Sequence, residues 1–120
     1  MLSEVVKTGL SILLLLASAS LAWAGDAYWI DVRTAEEYAD GHVRQAVNIP
    51  YEEITARIGE VTDDKDALIY LYCRSGRRSG IAREALERAG FSNAINLGGL
   101  EDAQRAAARQ ASAADEAAEG

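Results

Sequence analysis

Apolar and polar positions change period several times along this chain, and each change marks an element. Tyr28-Trp-Ile-Asp-Val32 is a short β-favouring run. Thr34 and Glu37 stand at capping-box spacing, which predicts a short helix over residues 35–39 that stops at Asp40-Gly41. Ala46-Val-Asn-Ile49 reads as another brief strand, closed by Pro50, the only proline. Ile54 and Ile58 lie four apart, so residues 51–58 read as a second helix ending at Gly59. Residues 61–66 form an acidic connection. The run 67–72, Ala-Leu-Ile-Tyr-Leu-Tyr, is almost wholly apolar, as a central strand covered on both faces must be.

Beyond residue 76 the period is helical again: Ile81, Ala82, Ala85, Leu86 and Ala89 recur on one stripe, and Gly90 suits the position after a helix end. Ala94-Ile-Asn-Leu97 is the last strand, followed by Gly98-Gly99. A helix is expected from Leu100 to about Gln110, and residues 111–120 carry too few large apolar side chains to pack. Strand and helix alternate throughout. The expectation is an α/β domain, a small parallel sheet of about four strands with helices on both faces.

The N-terminal pattern is different. Residues 8–25 carry no charge, their centre is Ile12-Leu-Leu-Leu-Leu16, and Ala22-Trp-Ala24 closes them. Small residues at 22 and 24 fit a signal peptidase cutting before Gly25, so residues 1–24 read as a signal peptide and the product as periplasmic or secreted. Lys7 is the only basic side chain before the apolar run, and Glu4 opposes it. The competing reading, a retained anchor, asks for about 20 predominantly apolar residues, whereas this run is broken by Gly9, Ser11, Ser18 and Ser20. Residues 25–102 then form one domain, and 103–120 a C-terminal helix with an alanine-rich acidic tail, partly disordered.

Charge and cysteine content narrow the chemistry. Of 120 residues 49% are hydrophobic, and the formal net charge is −7. An acidic chain of this kind is not a nucleic-acid binder, yet Arg74, Arg77 and Arg78 cluster beside Cys73, the only cysteine. One cysteine cannot pair within the chain. Here it follows an apolar strand and opens Cys73-Arg-Ser-Gly-Arg-Arg-Ser79, a turn into a helix. Backbone amides and the positive helix end converge on a sulfur so placed and favour thiolate. Cys73 is therefore the candidate nucleophile. The amides of residues 74–79, including Ser75 and Ser79, are the candidate cradle, with Gly76 permitting the turn. Arg77 and Arg78 are candidate forked donors to an anion, with Arg74 nearby. The Ser79 hydroxyl either caps the helix or donates to sulfur. Asp31 and Arg33 are read as supporting residues that orient the loop and neighbouring backbone through hydrogen bonds, rather than doing chemistry. His42 is the only histidine, so a metal site built on histidines is out, and no metal or organic cofactor is expected. Glu36-Glu37, Glu52-Glu53 and Asp63-Asp64 read as solvated faces.

Several segments together resemble the rhodanese family: Ile30-Asp-Val-Arg33, Gly41-His-Val43 with Ala46-Val-Asn-Ile-Pro50, the Cys73 loop, and Asn96-Leu-Gly-Gly-Leu100. The resemblance spans residues 28–102, and the chain looks most like the small periplasmic thiosulfate sulfurtransferases of the phage-shock type. It implies the rhodanese fold and a persulfide on Cys73 that carries sulfur from thiosulfate to a thiophilic acceptor such as cyanide. It also implies a structural role for His42. Departures are visible: only residues 25–27 precede Tyr28 where a further strand and helix are common. Arg44-Gln45 replaces Pro-Gly, and Ala103-Gln104 stands where an aromatic often follows Gly-Gly. Two other readings belong to different classes. A sulfur carrier would load once without turnover. A phosphatase or arsenate reductase uses Cys-x5-Arg, and here the spacing is Cys73-x4-Arg78 with serine at 79, a shorter ring that suits one sulfur atom better than phosphate.

Overall fold

A computed structural model describes residues 27–119 of the protein. The expected signal segment, its cleavage site and Gly120 lie outside the described residues. Strands β1 (Tyr28–Asp31), β2 (Val47–Asn48), β3 (Ile69–Cys73) and β4 (Ala94–Gly99) form one parallel sheet in the order β2-β1-β3-β4. Helix α1 (Ala35–Ala39) follows β1, α2 (Ile54–Arg57) follows β2, α3 (Arg77–Arg88) joins β3 to β4, and α4 (Leu100–Glu119) follows β4. The expected α/β architecture is the observed one.

Strand β3 lies inside the sheet, and its side chains alternate between two cores as the strand period requires. Ile69, Leu71 and Cys73 enter the larger core with Ile54, Ile58, Ala82 and Leu86, under α2 and α3. Tyr72 enters the smaller one with Trp29, Val43, Ala46 and Ala103, and Tyr70 packs against it under α4. Cys73 thus ends the strand on the face that α3 covers.

The segment expected as a single helix over 51–58 is instead a 3-10 turn (Tyr51–Glu53), α2, and a second 3-10 turn (Ile58–Glu60). The apolar spacing explains it. Tyr51 to Ile54 and Ile58 to Val61 are three apart, the 3-10 period, while Ile54 to Ile58 is four apart; all four pack on the same core. Strand β2 is only two residues long where four were expected, because Ala46 is held in a turn by its N–H on the Val43 carbonyl (2.9 Å). On α3 the buried stripe is Ser79, Ala82 and Leu86, so Ile81, expected inside, is 40% exposed. Helix α4 continues past Gln110 to Glu119. Residues 108–118 are exposed throughout, so alanine's helix propensity rather than burial extends it.

Candidate active site

The cysteine loop is a three-residue turn, residues 74–76, between β3 and α3. Gly76 caps α3 with φ +98°, a conformation that side-chain-bearing residues rarely adopt, and no side chain serves as cap. That geometry aims the Gly76 N–H at Cys73 Sγ, 3.0 Å away, and the Ser79 hydroxyl lies 3.5 Å from the same sulfur. Cys73 is 1% exposed. Burial pushes its thiol up, but the Ser79 hydroxyl and the amides of Ser79, Ser75 and Gly76 all favour the thiolate and together bring it down to about 7. Of the cradle expected from residues 74–79, these three amides act on the sulfur.

Strand β4 makes room for the loop. Its pairing with β3 shifts between Leu71 and Tyr72: Leu71 faces Asn96, Tyr72 faces Gly98 and Cys73 faces Gly99, so Leu97 is an extra residue in the ladder. Gly99 then lies directly against the Arg74 carbonyl, where a Cβ would collide with backbone. The Gly-Gly pair is a close-approach device.

The three loop arginines separate into different roles. Arg78 is half-buried and forks onto Glu37 (Nη1 to Oε1 2.8 Å, Nη2 to Oε2 3.1 Å). Glu37 also accepts the Thr34 N–H at 3.0 Å while its own N–H donates to Thr34 Oγ1, completing the capping box of α1. Its fork with Arg78, aided by Thr34, overrides burial and holds its carboxyl down at about 2. The expectation that Glu36-Glu37 is a solvated pair is thus corrected for Glu37: the loop guanidinium needs a counter-charge, and this carboxylate is it. Arg74 is 78% exposed, with Nε 3.9 Å from Glu37. Arg77 is exposed and, among the described residues, makes no hydrogen bond or ion pair.

Asp31 and Arg33 are buried against each other. The Arg33 Nη2 donates to Asp31 Oδ2 at 2.7 Å and to the Gly41 carbonyl at 2.7 Å. Of the hydrogen bonds expected to the loop and neighbouring backbone, those to neighbouring backbone form, while neither side chain hydrogen-bonds residues 73–79. They act one step away: Arg33 stands over the Tyr72 ring at 5.7 Å, and the Val32 N–H donates to the Tyr72 carbonyl at 3.0 Å. His42 stacks on Tyr38 with ring centroids 3.6 Å apart, and its Nδ1 lies 2.7 Å from the Tyr38 carbonyl oxygen, a packing role.

Two residues of the site escape sequence reasoning. Glu37 looks like any first-turn glutamate; only its place beside an arginine cluster hints otherwise. Asn96 looks like a strand-end asparagine, yet its amide meets both Ser79 and Gly76. The low carboxyl of Glu37 fixes a pH effect. Because folding depresses it from the usual 4.5 to about 2, its stabilisation is full above pH 4.5 and lost as pH falls towards 2. We expect Glu37→Gln to cost about 1–2 kcal/mol at pH 7, discounted for partial exposure. It should also flatten the decline in stability between those pH values. Parallel denaturation curves at each pH check this, and an undiminished acid decline in the variant contradicts it.

A model of the rhodanese-like domain matches residues 17–106. The thiosulfate sulfurtransferase PspE of Escherichia coli (strain K12) is 44% identical over 75 residues, which cover 62% of this chain and 72% of that protein. A sulfurtransferase of Allochromatium vinosum is 38% identical over 82 residues, covering 68% and 75%. Among solved structures, a rhodanese with anions from E. coli superposes with a TM-score of 0.62 at 43% identity, covering 64% of this chain and 91% of that one. The fold, the loop at the end of β3 and these similarities agree: the chain belongs to the rhodanese family.

Proposed function

We propose that this rhodanese is a sulfurtransferase that moves sulfane sulfur from thiosulfate to a thiophilic acceptor, through a persulfide on Cys73, outside the cytoplasm. The Cys73 thiolate attacks the outer sulfur of thiosulfate. The S–S bond of thiosulfate breaks, sulfite leaves with the electron pair, and Cys73 keeps one added sulfur. An acceptor such as cyanide then attacks that terminal sulfur, takes it as thiocyanate, and returns the thiolate. The observation that carries this reading is the Gly76 N–H at 3.0 Å from Sγ in a loop that brings the thiol to about 7, because both steps need charge held on that sulfur. The sulfurtransferase relatives support it.

Arg78 is committed to Glu37, so the free guanidinium for the sulfonate is Arg77, with Arg74 beside it. Arg78 supplies field and order to the loop. Losing one or two charge-assisted hydrogen bonds of about 1.5–3 kcal/mol should lower kcat/KM for thiosulfate roughly ten- to hundredfold in Arg77→Ala, with Tm unchanged. Arg78→Ala should lose stability as well as activity. An unchanged constant in Arg77→Ala would return the sulfonate to Arg78.

Export rests on the Ala22-Trp-Ala24 signature. N-terminal sequencing of protein from the cell envelope should begin within a residue or two of Gly25, and intact Met1 in washed membranes would support an anchor instead.

The chemistry itself is tested by intact mass. Thiosulfate should add a single sulfur atom and cyanide should remove it with catalytic release of thiocyanate. Cys73→Ser should abolish both steps, since a serine alkoxide is scarce at neutral pH. Loading without turnover would make the protein a sulfur carrier. A wild type that never gains sulfur would end the sulfurtransferase reading.

A further inference from the structure

Asn96, near the end of β4, grips the loop with both ends of its amide. Its Nδ2 donates to the Gly76 carbonyl at 2.8 Å. Its Oδ1 accepts from the Ser79 hydroxyl at 2.7 Å and from the Gly98 N–H at 2.9 Å. Gly76 is therefore held on two sides, its carbonyl by Asn96 and its N–H on Cys73 Sγ. The Ser79 hydroxyl poses a sharper question. It has one proton and two acceptors, Asn96 Oδ1 at 2.7 Å and Cys73 Sγ at 3.5 Å, and it is fully buried, so no solvent competes.

A neutral thiol is a weak acceptor and an amide oxygen a good one, so the shorter bond holds the proton while Cys73 is protonated. A thiolate reverses the order, because hydrogen bonds to an ionised acceptor are roughly twice as strong as neutral ones. Turning the hydroxyl from Asn96 to sulfur strands nothing, since Oδ1 keeps the Gly98 N–H and Asn96 is exposed, so water is free to take the vacated position. We propose that Asn96 is a positioning residue that acts through Ser79: it holds the hydroxyl proton while Cys73 is neutral and yields it to Sγ when that sulfur carries charge. The charge arises on ionisation and again when an acceptor takes the outer sulfur from the persulfide and leaves the thiolate. This second use rests on the sulfurtransferase reading; the exchange of hydrogen bonds does not.

Other charged groups surround the loop. Arg78 with Glu37, the Arg74 and Arg77 side chains, the Asp31–Arg33 pair behind Tyr72, and Asp102 on the Gly99 N–H are the nearest on each side. Among the described residues none of them hydrogen-bonds Ser79 or the Asn96 side chain. Their fields act on Cys73 in all variants alike, so a double-mutant cycle isolates the relay.

Ultraviolet thiolate absorbance of the full chain is titrated in wild type, Ser79→Ala, Asn96→Asp and the double variant, with Cys73→Ser as blank. Ser79→Ala should raise the thiol pKa by about one unit, roughly tenfold less thiolate below the midpoint. In Asn96→Asp a carboxylate keeps the hydroxyl proton in both states, so adding Ser79→Ala to it should change almost nothing. No shift in Ser79→Ala, or an equal shift in both backgrounds, overturns the proposal. Should Asn96→Asp fail to fold, amide NMR of the other proteins decides: the Gly98 N–H should follow the Cys73 titration in wild type and lose that response in Ser79→Ala. An unresponsive Gly98 in wild type overturns it equally. Sulfur loading is scored separately, so coupling without loading defeats the function, and loading without coupling defeats the relay.

Discussion

Cys73 is almost fully buried, and burial alone pushes a thiol up, away from the charged form that attacks. The Ser79 hydroxyl and convergent backbone N–H groups reverse this, and a chain can bring several such donors to one point only through a tight turn into a helix. The Gly76 N–H on Sγ is the visible end of that arrangement. It requires Gly76 at positive φ, a helix beginning at once at Arg77, and a strand that stops at Cys73. The other features near the loop serve to hold this turn in place.

Each neighbour holds it from a different side. Gly99 lets the last strand run against the Arg74 carbonyl, and the extra residue at Leu97 brings Gly98 and Gly99 into register with Tyr72 and Cys73. Asn96 closes the turn from the same strand. From the opposite direction Glu37 ties Arg78 to α1 through a capping box, which leaves one loop cation internally neutralised and the outer two facing solvent. A cradle built this way has a buried floor at Cys73 and a cationic rim.

Much of this was legible in the residues. The apolar run before Cys73, the glycine and arginine spacing after it, and the helical stripe beyond placed the cysteine and the strand–turn–helix around it, because those signals are local. Thr34 and Glu37 likewise announced their capping box. What was not legible depends on contacts between distant segments. The partner of Arg78 lies 41 residues away, and Asn96 reaches Ser79 across 17. Ile81 was misplaced for a related reason: the face of α3 that looks on the sulfur begins with Ser79, so the stripe is set by a polar residue that hydrophobic periodicity does not count. The break in the 51–60 segment, by contrast, is written in its three-four-three spacing once all four apolar positions are read together.

The account stands on the loop making a buried thiol acidic, and one titration addresses that directly. As the chain has a single cysteine, thiolate absorbance of the wild type, corrected with Cys73→Ser, reports that group alone. The structure calls for a midpoint near 7, well below the value of about 8.5 for a free thiol. A midpoint at or above 8.5 would mean that burial wins over the Ser79 hydroxyl and the amides, and the account of the loop would fail.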